Sequence, residues 1–344
     1  MQALVKTQKG EGFLQLRDMP EPTNSADEVL IEIKAAGICG TDIHVKHDTF
    51  PYWPPVILGH EFSGQIIQVG ENVPDWQVGD RVVGEPHTLH CGRCYLCREG
   101  HIQNCPDKRS PGWGIDGAFT KYLAYPHKLL HRIPDEMTFE QAALVEPAAN
   151  TVTDIIERGC VQVGDFVVVL GPGPIGLLAA QVAKAAGARR VMIVGAPADE
   201  ELRLATARRL GIDHVVNFAE ENPVEKCLQL TDGRGADLVI ECSGAPPAIG
   251  QAFDLVRKWG RVCAIGLTGK RPVQLDWDTA MGKVVTLYFN MSTAYASWDK
   301  TIWMIAEGKI NVDPLITHVL PLAEWEKGFD AVESMEALKV VLVP

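Results

Sequence analysis

The chain has 344 residues, 46% of them hydrophobic and 22% charged, a balance that suits two ordinary globular domains and excludes a disordered polymer. Its formal net charge of −12 at pH 7 excludes the basic surface that a nucleic-acid partner requires. No apolar run approaches the roughly 18 residues that cross a bilayer, and Met1 to Gly10 carries two lysines without an apolar core, so a cytoplasmic protein with no membrane partner is expected.

Up to about Pro147 the chain alternates short β-type runs with Gly and Pro turns: Val29 to Lys34, Glu61 to Val69, Arg81 to Gly84 and Phe119 to Leu123. This pattern predicts an irregular barrel with long functional loops. From Asp165 the pattern changes. A strand to Leu170 leads through a Gly-rich turn into a helix from about Ile175 to Ala186, then strand Val191 to Val194 and a helix over Glu200 to Leu210. Strand Val215 to Phe218, helix Val224 to Leu230, strand Asp237 to Glu241, helix Ile249 to Arg257 and strand Arg261 to Ile265 follow. Such alternation predicts an α/β doubly wound parallel sheet. Helix Asp299 to Glu307 and strand Lys339 to Val343 lie beyond it, and composition does not assign them to either domain. Gln-Val-Gly-Asp occurs at Gln77 to Asp80 and again at Gln162 to Asp165, each copy a turn leading into a strand. The echo reads as shared turn chemistry, not duplication.

Cys91, Cys94, Cys97 and Cys105 form C-x2-C-x2-C-x7-C, four of the nine cysteines within fifteen residues. Four thiolates on a short loop close a tetrahedron around Zn²⁺, which favours sulfur. An iron–sulfur cluster uses four cysteines as well, and Pro106 does not decide between them. Four unligated thiols in an exposed loop fit poorly with the burial that free Cys prefers. A closed structural metal site is the stronger reading, and it performs no chemistry.

Gly37 to His44, containing Cys39, and Gly59-His60-Glu61 offer a thiolate, an imidazole and a carboxylate. Three protein ligands with one exchangeable position describe a catalytic zinc, although each residue alone is commonplace in packing or a turn. Glu146 precedes Pro147 in an apolar setting, where a buried carboxylate needs a metal, a water or a helix end. Gly171-Pro172-Gly173-Pro174-Ile175-Gly176 fits G-x-G-x-x-G between a strand and a helix, the setting in which glycines admit a pyrophosphate to a helix N-terminus.

Together these features resemble the zinc-containing medium-chain alcohol dehydrogenase superfamily, in the right order and over essentially the whole chain. Within it the chain is most similar to the polyol (sorbitol, iditol) and threonine dehydrogenase branch, because Glu61 follows His60 and Glu146-Pro147 stands where that branch carries a Glu-Pro pair. The resemblance implies a GroES-like barrel built from both chain ends (1–148 and 287–344) around a Rossmann domain (149–286). It implies that Cys39, His60 and Glu61 approach a catalytic zinc, with Glu146 binding directly or through water. Thr41 would take the alcohol proton and His44 would pass it outward through the cofactor ribose. Two zinc ions per chain, a nicotinamide cofactor, an alcohol or polyol substrate and a homo-oligomer, with a tetramer favoured, complete the expectation. A third anion would blunt the metal's acidity, so Glu61 and Glu146 are expected to exchange with water rather than both bind permanently.

Cofactor choice departs from the family. Where relatives carry an Asp for the adenosine ribose, Val194 is followed by Gly195-Ala196-Pro197, and the loop is about two residues longer. Arg203 is close enough to approach a 2′-phosphate, but Asp199, Glu200 and Glu201 crowd it, and Asp199 is placed to take the ribose hydroxyls. The balance favours NAD over NADP. Gly171, Gly173, Pro174, Ile175, Gly176 and Ile265 complete the expected cofactor contacts. Substrate identity rests on scattered aromatics, Phe50, Trp53, Trp113 and Tyr295, any of which can equally be core. A threonine-type amino-alcohol dehydrogenase and a non-catalytic zinc-loop binding module are the alternatives. The second predicts loss of Cys39, Thr41 and His44, which are all present.

Overall fold

The computed structural model describes residues 1–269 and 272–344 and divides into two compact units. One comprises Met1–Pro147, Thr293–Ala306 and Ile316–Pro344; the other comprises Ala148–Ser292 and Glu307–Leu315. No helix among the described residues is long and apolar enough to cross a membrane.

The first unit opens with β1 (Gln2–Lys6), β2 (Leu14–Asp18), β3 (Glu28–Gly37), β4 (Val56–Ile57), β5 (Glu61–Val69), β6 (Arg81–Gly84), β7 (Tyr122–Pro126) and β8 (Leu130–Arg132). The second holds β9 (Phe166–Leu170), β10 (Arg190–Gly195), β11 (His214–Asn217), β12 (Ala236–Glu241), β13 (Val256–Ala264) and β14 (Thr286–Phe289). The chain then returns to the first unit as β15 (Ile316–Pro321) and β16 (Lys339–Val343).

In the first unit β3 is the hub. Val29, Ile31 and Ile33 alternate inward with period two and are buried. β3 pairs antiparallel with β5, β7 and β16, and the larger sheet runs β15-β16-β3-β5-β6-β8. Its register sets Gly37 opposite both Glu61 and Val341. The core gathers Ile31, Phe62, Phe119, Tyr125 and Phe329 around these strands.

In the second unit the sheet is parallel throughout, in the order β11-β10-β9-β12-β13-β14. All five residues of β9 are buried, as expected of a central strand in a parallel sheet. The apolar run that read as a strand is therefore a doubly covered one.

Several boundaries differ from the sequence expectation. The strand expected at Phe119 to Leu123 is β7, three residues later, because the Phe119 backbone bonds Leu58 and Leu4 instead. The helix expected to reach Arg257 ends at Leu255. Val256 already pairs with Ala236, Arg257 reaches Asp237 on β12 at 2.5 Å, and Trp259 takes a left-handed φ of 56°. The helix expected from Asp299 begins at Tyr295. Glu200 to Leu210 opens as a π-helical turn and becomes α-helical only at Ala205.

Candidate active site and metal centres

The four cysteines converge on a loop whose backbone already serves sulfur. Cys91 Sγ accepts the Cys94 N–H at 3.3 Å, Cys105 Sγ that of Cys91 at 3.4 Å, and Cys94 Sγ that of Cys97 at 3.5 Å. Backbone N–H groups of Arg93 and Cys94 hold the Cys91 thiol down at about 6. Sulfur–sulfur separations are 3.6 Å for Cys91–Cys105 and 4.0 Å for both Cys91–Cys97 and Cys94–Cys105. A tetrahedron of sulfurs around zinc, with Zn–S bonds of about 2.3 Å, has edges of about 3.8 Å. The donor set and its spacing fit zinc.

The second cluster begins where β3 ends. Cys39 caps the helix Gly40–Lys46, and Asp42 one turn in accepts the Cys39 N–H at 2.9 Å. His60 and Glu61 lie at the start of β5, and their ligand atoms and the Cys39 sulfur are all within 4.8 Å of one another. A Cβ at Gly37 would meet Glu61 Oε2 at 2.3 Å, so only glycine there admits the carboxylate. His60 is buried and contacts the edge of Trp113, with ring centroids 4.7 Å apart. Its Nδ1 has no hydrogen-bond partner and faces the equally unpartnered Asp42 Oδ1 at 4.0 Å. Burial alone would push His60 toward neutrality. The neighbouring Cys39, Asp42 and Glu146 outweigh this and raise its pKa to about 10. A buried imidazole among acids and a thiol is a site that wants a cation, and the donor types fit zinc.

Glu146 is buried in the first turn of the helix Val145–Val152, outside the close triple but within electrostatic reach of His60. Glu61 has a partner that sequence reasoning missed. Lys339 Nζ, on β16, bonds both its oxygens at 2.7 and 2.5 Å and the Ile38 carbonyl at 3.1 Å. A lysine heading an otherwise apolar strand was the available signal. Asp42, unassigned in the sequence, is the other missed member.

Thr41 and His44 lie three residues apart on the helix Gly40–Lys46, hence on one face. Thr41 Oγ1 is 3.7 Å from Cys39 Sγ, while His44 is exposed and its Nδ1 meets Thr49 Oγ1 at 3.0 Å. Phe50 and Trp113 stack edge to face beside His60, and the Trp53 N–H donates to the Trp113 carbonyl. Tyr295 sits against His131, 5.1 Å between centroids, on a separate buried network.

In the second unit Gly171 follows β9 with φ +98°, and Gly173 caps the helix Pro174–Ala185, which has Pro174 in its first turn and Ile175 next. A Cβ on Gly176 would strike the Gly171 carbonyl at 1.8 Å, so the tight strand–turn–helix requires glycine at both positions. A Cβ on Gly173 would meet nothing within 4 Å, which leaves its surroundings open. Ile265 leaves β13 with its N–H on the Glu241 carbonyl at 2.9 Å. Glu241, also missed, accepts the N–H groups of Ser243 and Gly244 and orders the neighbouring strand end.

Asp199 is not the free acid that the sequence suggested. Its Oδ2 accepts the Ala196 N–H at 2.8 Å and its Oδ1 pairs with Arg203 at 2.9 Å, so both oxygens are engaged within their own loop. Nearby, Arg208 pairs with Glu200 at 2.7 Å.

With this geometry in view, the similarity to known proteins is specific. Residues 25–135 match the alcohol dehydrogenase GroES-like domain, and residues 174–307 match the zinc-binding dehydrogenase domain. The chain is 40% identical to the sorbitol dehydrogenase of Halalkalibacterium halodurans, covering 100% of this chain and 99% of that one. It is 35% identical to the L-threonine 3-dehydrogenase of Bacillus licheniformis, with 100% and 99% coverage. A solved zinc-binding dehydrogenase from Sinorhizobium meliloti bound to NADP superposes with a TM-score of 0.92 at 28% identity, covering 100% and 99%. The chain belongs to the zinc-containing medium-chain alcohol dehydrogenase superfamily, oxidoreductases that act on CH–OH groups with a nicotinamide cofactor.

Proposed function

We propose that this chain oxidises a secondary alcohol or polyol with NAD as the hydride acceptor and holds two zinc ions. The observation that carries the reading is the convergence of half-buried Cys39 with buried His60 and Glu61, with Glu146 in electrostatic reach and Thr41 at its edge. Bound there, zinc supplies a Lewis acid that makes the alcohol hydroxyl easier to deprotonate. Thr41 Oγ1 would accept that proton as it releases its own toward the cofactor ribose, and His44, three residues on and open to solvent, would pass it outward. A dinucleotide would be held at Gly171, Gly173 and Gly176, where the helix N-terminus offers N–H groups to its pyrophosphate, and would supply the hydride acceptor. Both lysine-facing oxygens of Glu61 are engaged. Glu146, buried within electrostatic reach of His60, is the second acid that would approach a metal or its water when Glu61 does not.

NAD is favoured over NADP because Arg203 and Arg208, the arginines nearest that loop's start, are each paired with a carboxylate rather than open to a 2′-phosphate. The cytoplasm is the fitting compartment, since none of the nine cysteines forms a disulfide. A tetramer is supported by β14, an edge strand whose Phe289 is exposed, as are Trp277 and Met281 of the same unit.

The test is reduction of NAD⁺ and NADP⁺ by the purified enzyme across polyols, simple secondary alcohols and amino alcohols. Turnover of polyols with NAD⁺ is expected. Turnover confined to substrates with an ammonium group would replace this reading by the threonine type, and no turnover with any of them would refute alcohol oxidation.

A further inference from the structure

Arg109 is the cation that this site leaves unspent. Its guanidinium lies over the Trp53 ring, 3.4 Å from the centroid, and makes one side-chain hydrogen bond, to the Lys108 carbonyl at 3.3 Å. Among the described residues no carboxylate pairs with it. The backbone beneath is fixed: Arg109 and Leu89 exchange N–H···O bonds at 2.9 and 3.2 Å, and a Cβ on Gly114 would meet the Arg109 side chain at 2.8 Å. Trp53 is 43% exposed, and its N–H bonds the carbonyl of Trp113, the indole that touches His60. Trp113 thus touches His60 with its ring and holds the Trp53 backbone with its carbonyl, and Trp53 carries the guanidinium on its face. A planar fork of donors, held on an indole face and unpaired, matches a phosphate or carboxylate in shape and charge.

We propose that Arg109 is a specificity determinant that binds the anionic end of the alcohol substrate, so that the preferred substrates are polyols carrying a phosphate or a carboxylate. This rests on the reading of the first unit as an alcohol-oxidising site. Neutral polyols present nothing that a charged fork recognises better than water does, whereas an oxyanion gains a charge-assisted pair of hydrogen bonds.

The experiment compares kcat/KM for a pentitol, its terminal phosphate and the matching aldonate, in the wild type, Arg109→Gln and Arg109→Lys. One anionic substrate should exceed the neutral pentitol by about 10- to 100-fold, the range for a hydrogen bond to a charged group, chiefly through KM. Arg109→Gln should erase that ratio, and Arg109→Lys should restore part of it, since charge returns without the fork. Whichever anion wins identifies the group. A neutral pentitol used as well as both anions overturns the inference while leaving alcohol oxidation standing. A preference that survives in Arg109→Gln overturns it as well, and a change in thermal stability alone would mark the residue as structural. If Arg109→Gln does not fold, inorganic phosphate should still compete with the pentitol in the wild type, and absence of competition overturns the proposal. Failure to oxidise any of the three, or any alcohol of the wider panel, would instead strike the underlying reading.

Discussion

Thr41→Val keeps the shape of the side chain and removes its hydroxyl, so it isolates the proton path. Turnover should fall by roughly 10² to 10⁴, the size of a general acid–base contribution, with cofactor binding unchanged in fluorescence titration. His44→Ala should cost less, because His44 is exposed and water can take its place. A second residue makes a prediction about stability. Asp154 is buried with Oδ1 unpartnered, and burial, partly opposed by Arg158, raises its pKa from 3.8 to about 7. The folded state therefore binds this proton more tightly than the unfolded state. Its cost is absent below the unfolded pKa and grows as pH rises toward the folded one. Asp154→Asn should stabilise the protein by about 2 to 4 kcal/mol near pH 8 and by little near pH 4, measured by denaturant unfolding at both. Cys39, His60, Glu61 and Thr41 were legible because short motifs carry them. Lys339 was not, since nothing local links it to Glu61, 278 residues away, and only the β3 register brings the two strands together.

The two metal centres differ as elements, and the same change of Cys to Ser should separate them. In the four-cysteine loop no secondary structure longer than the helix Tyr95–Arg98 stands between the cysteines, so a metal held there would supply the fold of that segment. Cys97→Ser should lower thermal stability and release one zinc, read by metal analysis against the two expected per chain. Cys39→Ser should abolish turnover and leave the melting curve near that of the wild type. The cofactor loop makes its own prediction. Asp199→Ala unties the Ala196 turn and should weaken NAD binding by about 1 to 3 kcal/mol, whereas Arg203→Ala should leave NAD kinetics nearly unchanged. A clear NADP preference that collapses in Arg203→Ala would reverse the assignment. Turn chemistry was the best-read element of the sequence. In both Gln-Val-Gly-Asp copies the Asp side chain accepts the Gln N–H, at 3.0 Å for Asp80 and 2.7 Å for Asp165. The other carboxylate oxygen then meets an arginine, Arg132 in one and Arg261 in the other. The end of the helix before β13 was misread because Val256 and Arg257 suit either state, and the pairing with β12 decides.

At the scale of the molecule, the alternation of strands and helices made the parallel sheet legible, while the barrel was visible only as short runs and turns. Composition could not say where the chain beyond the Rossmann segment goes. The long-range pairing of β16 with β3 settles that for Lys339–Val343. Sedimentation velocity should find a tetramer, and Phe289→Asp on the exposed edge strand should shift it toward smaller species. The Lys339 contact also has a consequence for biosynthesis. At about 5 to 20 residues per second, β5 leaves the ribosome on the order of 15 to 60 s before Lys339 exists. Throughout that interval Glu61 has no Lys339 beside it. Once β16 docks, both carboxylate oxygens are claimed. The Glu61–Lys339 pair is therefore completed only when the last strand of the fold is in place.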